Sequence, residues 1–107
     1  MRQSLLLLAM AIVPTIAAVA AGPDGAAVYD KWCAPCHAPG ISHPGTQALK
    51  AKYVGDWQGV LRDWKELTPD YIRLTVRQGI SVMPHFRKTE ISDAELDALA
   101  RYIARKP

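Results

Sequence analysis

The sequence predicts a small all-α domain of three or four helices. Apolar residues recur at helical spacing in several segments, and helix-capping residues precede these segments. Gly- and Pro-rich turns join them, and no β-type alternation of apolar and polar residues surrounds the two cysteines. With 107 residues and no internal repeat, the chain has room for one small domain.

Residues 1–21 are expected to be a secretory signal peptide that precedes a mature domain at residues 22–107. Arg2 forms a short positive n-region, an unbroken apolar run extends from Leu5 to Val13, and small residues precede the expected cleavage site. An uncleaved membrane anchor is the alternative. The apolar segment is at the short limit for a span and contains Pro14, which favours a cleaved signal peptide over an anchor. Because cleavage removes this segment, we expect no stable membrane insertion of the mature protein.

The first helix of the mature domain is predicted from Asp24 to Cys33, with the aspartate as its N-cap. A loop is predicted next over Ala38–Thr46, because this segment contains two Pro-Gly turn signals. The apolar stripe of the helix would consist of Val28, Tyr29 and Trp32.

Two short helices are predicted over Gln47–Tyr53 and Asp56–Trp64, and Gly59 is unfavourable inside the second. The Thr68-Pro69-Asp70 segment is a typical helix start, with a hydroxyl cap, a proline at the first helical position and an acid in the first turn. Gly79 would end this helix. Its buried stripe is expected to contain Tyr71, Ile72, Thr75 and Val76.

A loop over Ile80–Thr89 leads to the last helix. The Ser92-Asp93-Ala94-Glu95 segment is a capping box that opens this helix. Its apolar face is expected to consist of Leu96, Leu99, Tyr102 and Ile103.

The segment Cys33-Ala34-Pro35-Cys36-His37 is a C-x-x-C-H motif, which is typical of covalent haem attachment. Two cysteines a short, fixed distance apart can add to the two vinyl groups of one haem. His37 lies four residues after Cys33, on the same helical face, so its imidazole can reach the iron. We therefore expect one haem c per chain, bound through Cys33 and Cys36.

Since bacteria attach such haem outside the cytoplasmic membrane, the motif and the expected signal peptide together predict a periplasmic protein.

Three other interpretations of the two cysteines are less favoured. A structural zinc site usually has four Cys or His ligands in two pairs, and only His43 and His85 remain to complete one. A thioredoxin-like redox pair would lie in a βαβ unit. A structural disulfide would close so short a loop that it would constrain the unfolded chain little.

Met83 is the predicted second ligand of the iron. It lies in a loop, and Pro84 stiffens the segment that would present its sulfur. A thioether is soft and neutral, so it favours ferrous iron and raises the reduction potential. Core packing, replacement by His85 and an open sixth position are the alternatives. His43 follows His37 too closely to cross easily to the opposite face of the haem.

The formal net charge of +3 does not predict nucleic-acid binding, since two haem propionates would offset most of it. Trp57 and Trp64 are candidate covers for the porphyrin, and ordinary core packing is the alternative for each. Three arginines could pair with propionates or lie on solvated helix faces, namely Arg62, Arg73 and Arg77.

The mature chain resembles a class I c-type cytochrome. The resemblance implies that the first and last helices cross, with Gly25 and Tyr29 against Leu99 and Tyr102. It also implies that Pro44 packs on the proximal histidine and that its carbonyl accepts the imidazole proton. Residues 45–67 match nothing as specific. The residues that carry the resemblance are Gly25-x-x-Val28-Tyr29, the Tyr71–Gly79 segment, Met83-Pro84-x-Phe86 and Leu99-x-x-Tyr102.

The Ser81–Ile91 segment is similar to cytochrome subunits of flavocytochrome alkylphenol oxidoreductases, of the p-cresol methylhydroxylase and eugenol hydroxylase types. That resemblance implies a flavoprotein subunit as redox partner, from which the cytochrome removes electrons singly. A free-standing carrier between other respiratory partners is the alternative. No nucleophile–base pair or paired carboxylates accompany the C-x-x-C-H motif, so the sequence predicts electron transfer and not enzymatic catalysis.

Overall fold

A computed structural model describes residues 12–17, 21–53 and 58–105. Within these segments the chain is helical and contains no strand beyond an isolated bridge between Ile80 and Met83, which confirms the predicted all-α class. None of the described helices is long and apolar enough to cross a membrane. The elements are α1 (Gly25–Trp32), α2 (Ala34–His37), α3 (Pro44–Lys52), a 3-10 turn (Leu61–Asp63), α4 (Pro69–Gln78) and α5 (Asp93–Ile103).

The predicted caps set the helix ends. The Asp24 side chain accepts a hydrogen bond from the Ala26 amide at 2.9 Å, and α1 begins between them as expected. Thr68 caps α4, and Gly79 ends it with φ +72°, a backbone conformation that favours glycine. Both halves of the capping box form at Ser92, so three helix starts follow from local sequence.

The middle of the chain differs from the prediction. Helix α3 begins at Pro44, earlier than expected, because proline is well suited to the first position of a helix. In place of the expected helix over residues 56–64, the structure has only the short 3-10 turn, and residues 54–57 lie outside the described segments. Gly59 has φ +77° and packs so closely on α3 that a Cβ there would meet the Thr46 carbonyl, which excludes a regular helix at this point.

Helices α1 and α5 form the most extensive contact between elements. A Cβ on Gly25 would overlap with the Ala98 carbonyl oxygen and would lie 2.8 Å from the Tyr102 Cβ, so only glycine permits this approach. The Tyr29 and Tyr102 rings pack at 5.6 Å between centroids. The contacts of Gly25 and Tyr29 with Tyr102 that the resemblance implies are therefore present.

Helix α4 packs on α5 through a narrower stripe than predicted. Ile72 and Val76 are buried, but Tyr71 is 42% exposed, so its predicted burial is wrong. Ile72 and Val76 are four residues apart and therefore lie on the same face of α4. Tyr71 precedes Ile72 by one residue, which turns its side chain away from this face and from α5. Two ion pairs lie beside the stripe, from Arg73 to Asp97 at 2.7 Å and from Arg77 to Asp93 at 2.9 Å.

One apolar core joins α1, α4 and α5. Ile91 and Leu99 at its centre are fully buried, and Cys33 belongs to the same cluster. The half-buried side chains that pack on this cluster include Trp32, Trp64, Met83 and Phe86. The C-x-x-C-H motif and the loop that bears Met83 therefore lie against the same core.

Gly25→Ala is expected to destabilise the protein by about 1–3 kcal/mol, because the added methyl forces α1 away from α5. Alanine is otherwise more favourable than glycine in a helix by roughly 0.5–1 kcal/mol. A net loss of stability would therefore be due to the steric overlap, because helix propensity acts in the opposite direction. Urea unfolding monitored by far-ultraviolet circular dichroism gives the difference.

Gly22→Ala is the matched control, since no atom of the described residues, apart from its two chain neighbours, lies within 4 Å of a Cβ at that position. We expect its free energy of unfolding to stay within about 0.5 kcal/mol of the unaltered protein. Equal stability of the two variants would show that the close approach at Gly25 does not constrain the fold.

Candidate functional site

The C-x-x-C-H motif forms a single helical turn. Cys33 ends α1 and precedes α2, and its carbonyl accepts hydrogen bonds from the amides of Cys36 (3.1 Å) and His37 (2.9 Å). Pro35 occupies the first turn of α2, where proline is favoured. Two free thiols and an imidazole are thus presented by one short segment, with Cys33 buried and Cys36 exposed.

The environment of Cys33 disfavours thiol–disulfide chemistry. Burial, with a smaller contribution from Cys36, raises the pKa of the Cys33 thiol to about 12. A redox-active cysteine requires the opposite shift, because the thiolate is the nucleophile. Zinc fits no better, since no three His, Cys, Asp or Glu side chains converge anywhere in the described segments.

His37 is half-buried, and burial lowers the pKa of its imidazole. The ring is therefore neutral at pH 7, which is the form that binds a metal. Its Nδ1 atom is fully buried and has no hydrogen-bond partner among the described residues. A buried ring nitrogen without a partner is rare in a folded protein and is consistent with a site built to bind a further group.

The hydrogen bond from His37 to the Pro44 carbonyl, which the resemblance implies, does not form. Pro44 is the first residue of α3, and helix carbonyls point along the axis toward the C-terminus, so this oxygen faces α3 itself. The neighbouring Gly45 lies against the ring instead. A Cβ at Gly45 would come within 2.7 Å of His37 Cε1 and of the Cys36 carbonyl oxygen.

Two hydroxyl groups hold the backbone around His37. The Tyr29 hydroxyl donates to the His37 carbonyl at 3.2 Å, and the buried Thr46 hydroxyl donates to the Ala38 carbonyl at 2.8 Å. Burial raises the pKa of Tyr29 to about 12, so this hydroxyl stays protonated and remains a donor. Sequence reasoning assigned Tyr29 to an apolar stripe and missed this role, because its partner is set by the tertiary fold.

Met83 lies at the end of a tight turn. Its amide donates to the Ile80 carbonyl at 2.9 Å, and the Ile80 amide donates to the Met83 carbonyl at 3.2 Å. Between them Ser81 has φ +54°, which is unusual for a residue other than glycine, and Val82 at the tip is 93% exposed. A Cβ on Gly79 would lie 2.7 Å from the Met83 carbonyl oxygen, so the end of α4 packs closely on this turn.

The core brings the two predicted ligand segments together. Trp32, next to Cys33, packs edge-on against Phe86 at 5.8 Å between ring centroids, and Phe86 follows Met83 closely in the chain. Met83 is half-buried on the same cluster, whereas His85 is exposed. His43 occupies the N-cap position of α3 without a side-chain hydrogen bond to the helix, and its Nδ1 lies 3.0 Å from the Pro35 carbonyl oxygen, on the side of the C-x-x-C-H turn.

The aromatic and arginine candidates have protein partners. Trp64 is half-buried on the core, with its ring 4.7 Å from that of Tyr53, while Trp57 lies outside the described residues. Arg62 lies over the Tyr102 ring at 4.1 Å. Arg73 and Arg77 pair with carboxylates of α5, so these two guanidinium groups connect helices.

The residues present fit a haem. One turn presents two free thiols and a neutral imidazole, and its Cys33 shares an apolar core with the half-buried thioether of Met83. These are the donors that c-type cytochromes use, and the core supplies apolar surface for a porphyrin.

Comparison with known proteins leads to the same family. Residues 20–103 match the family model described as cytochrome c oxidase, cbb3-type, subunit III, and this range includes all the helices given above. No curated protein and no solved structure matches the chain significantly. The helical fold, the C-x-x-C-H turn and this match show that the chain belongs to the cytochrome c family that the model describes, a family of haem c electron carriers.

Proposed function

We propose that the protein is an exported one-electron carrier with one covalently attached haem per chain. Cys33 and Cys36 would hold the haem covalently, and His37 and Met83 would supply the protein ligands of its iron. The observation that carries this proposal is the buried Nδ1 atom of His37, which has no hydrogen-bond partner among the described residues and belongs to a turn that shares an apolar core with Met83.

Each residue has a distinct task in this proposal. A haem supplies the exchange of one electron between ferrous and ferric iron. Tyr29, through its bond to the His37 carbonyl, limits movement of the turn that bears the imidazole. The neutral sulfur of Met83 favours the ferrous state, and the surrounding apolar side chains exclude water.

Export is supported by the segment before the domain. The apolar side chains of Ile12, Val13 and Ile16 are all exposed, so the folded domain provides no cover for them. An apolar segment outside the folded core is consistent with a signal peptide that ends near Ala21. The proposed location of the mature protein is therefore the periplasm, and its support is the signal-peptide pattern of residues 1–21 together with the C-x-x-C-H motif.

The proposed electron donor is a flavoprotein subunit of the dehydrogenase or hydroxylase type. The support is the similarity of the Ser81–Ile91 segment to cytochrome subunits of flavocytochromes. In the structure this segment includes the Met83 turn, whose tip at Val82 is exposed and accessible to a partner.

Purification of the tagged protein from its own periplasm tests this assignment. A stable complex with a chain that contains flavin, reduced by a phenol and reoxidised through the cytochrome, is the expected result. Isolation as a monomer that exchanges electrons freely would instead support a free-standing carrier. Assembly with a cbb3-type oxidase, as the family description suggests, would also contradict the flavoprotein assignment.

Covalent attachment is expected to be lost in a Cys33→Ser, Cys36→Ser double variant. The unaltered protein should retain its haem through denaturing electrophoresis, and its intact mass should correspond to one haem per chain. His85→Ala, a change at an exposed residue outside the motif, is the control and should retain haem fully. A colourless unaltered protein with two titratable thiols would contradict the proposal.

Met83→Ala is expected to remove the weak far-red charge-transfer band that a methionine–iron bond gives in the ferric protein. The reduction potential should fall by on the order of 100 mV, within the range that axial ligands control. Carbon monoxide should then bind rapidly to the ferrous form.

Val82→Ala is the matched control for this experiment, since Val82 lies in the same turn but is 93% exposed. Its spectrum should match that of the unaltered protein. A far-red band that survives Met83→Ala would exclude Met83 as the ligand, and loss of the band in His85→Ala would indicate that His85 affects the iron.

A further inference from the structure

We propose that Arg77 is a positioning residue that holds the Met83 loop closed, and so keeps the methionine on the iron. This inference depends on the proposed function, because it requires Met83 to be a ligand. It concerns residues 80–86, which connect the end of α4 to the segment before α5.

Arg77 lies next to the last residue of α4 and forms two hydrogen bonds in different directions. Its Nη1 donates to the Phe86 carbonyl at 3.1 Å, and its Nη2 donates to Asp93 Oδ1 at 2.9 Å. One side chain thus connects α4, the far end of the loop and the first residue of α5. The planar guanidinium fork can serve two acceptors at fixed positions, which a lysine ammonium cannot do with the same geometry.

The Phe86 backbone is held by α4 on both of its polar groups. Its amide donates to the Val76 carbonyl at 2.8 Å, and its carbonyl accepts the bond from Arg77. At the other end of the loop, the reciprocal bonds between Ile80 and Met83 close the turn. The loop is therefore anchored at both ends, and among the described residues Arg77 is the only side chain that donates a hydrogen bond to the Phe86 end.

The anchor at Phe86 matters for the site because the Phe86 ring packs on Trp32, next to Cys33. A displacement of Phe86 would move the loop relative to the C-x-x-C-H turn. The bonds from Arg77 therefore act on the separation between the two ligand-bearing segments.

Burial distinguishes Arg77 from the surface charges around it. The Arg77 side chain is 22% exposed, whereas Lys88, which also pairs with Asp93 at 2.8 Å, is 73% exposed. An exposed pair contributes little to stability, so Lys88 is a weak anchor. Hydrogen bonds from Lys88 and Arg77 lower the pKa of Asp93, which keeps this carboxylate charged as an acceptor.

Arg73 provides the matched control. It lies one turn earlier on the same face of α4, and it also pairs with α5, through Asp97 at 2.7 Å. It forms a second ion pair with Asp70 at 2.8 Å, within its own helix. Neither partner belongs to the Met83 loop, so Arg73 shares the helix-joining role of Arg77 without the contact to Phe86.

The test compares Arg77→Gln with Arg73→Gln in the ferric holoprotein, with added imidazole as a competing iron ligand. Imidazole can bind only when Met83 has left, so its apparent affinity reports the fraction of molecules with an open loop. For Arg77→Gln we expect apparent imidazole binding to tighten by roughly tenfold, with the far-red band still present before imidazole is added. For Arg73→Gln we expect apparent imidazole binding to change by less than about twofold. This should hold even if the thermal midpoint of Arg73→Gln falls as far as that of Arg77→Gln.

Two outcomes separate the failure of this inference from the failure of the proposed function. An unaltered ferric protein without the far-red band would show that Met83 is not the ligand, and both proposals would fail. A band in the unaltered protein, with equal imidazole affinities in the two variants, would show that Arg77 only joins helices.

Arg77→Lys is the second variant, for use if Arg77→Gln does not fold. The lysine keeps a positive charge beside Asp93. It lacks the planar guanidinium group that bonds Asp93 and the Phe86 carbonyl at the same time. We expect tighter imidazole binding than in the unaltered protein, and an unchanged affinity would overturn the inference.

Discussion

The close approach of α1 to α5 at Gly25 is the constraint on which the rest of the structure depends. The backbone of α1 lies against the Ala98 carbonyl, and Tyr29 then packs on Tyr102. Because Cys33 ends α1, the position of this helix also determines where the C-x-x-C-H turn lies on the core. Tyr29 contributes twice, since its ring makes the helix contact and its hydroxyl holds the His37 carbonyl.

Helix α5 contributes none of the predicted ligands, yet both ligand-bearing segments depend on it. Helix α1 packs on the middle and the end of α5, and Arg77 forms an ion pair with Asp93 at the start of α5. The capping box at Ser92 fixes where the helix begins and therefore where the Asp93 carboxylate is presented. Helix α5, which is remote from the C-x-x-C-H motif in sequence, thus helps to position both the C-x-x-C-H turn and the Met83 loop.

Local sequence was sufficient to predict the helix starts and the motif. Asp24, Thr68 and Ser92 cap their helices as expected, because a cap depends on residues only two or three positions away. The all-α class and the cytochrome c family also follow from such local patterns.

The errors and omissions have two physical causes, which are tertiary packing that local patterns do not encode and a helix that begins earlier than expected, at Pro44. Tyr71 is predicted in the buried stripe of α4, but it is 42% exposed because it lies off the line of Ile72 and Val76 that faces the core. The role assigned to the Pro44 carbonyl failed because α3 begins at that residue. Gly45 resembles any other turn glycine in the sequence, and only the fold places it against the His37 ring.

The burial of Cys33 has a consequence for how the protein matures. In the folded chain its thiol is enclosed by the core and strongly resists deprotonation, while Cys36 remains accessible. Burial and the raised pKa therefore disfavour chemistry at the Cys33 sulfur while α1 is docked on α5. On the proposed function, attachment of haem at Cys33 is then expected to precede complete closure of the fold.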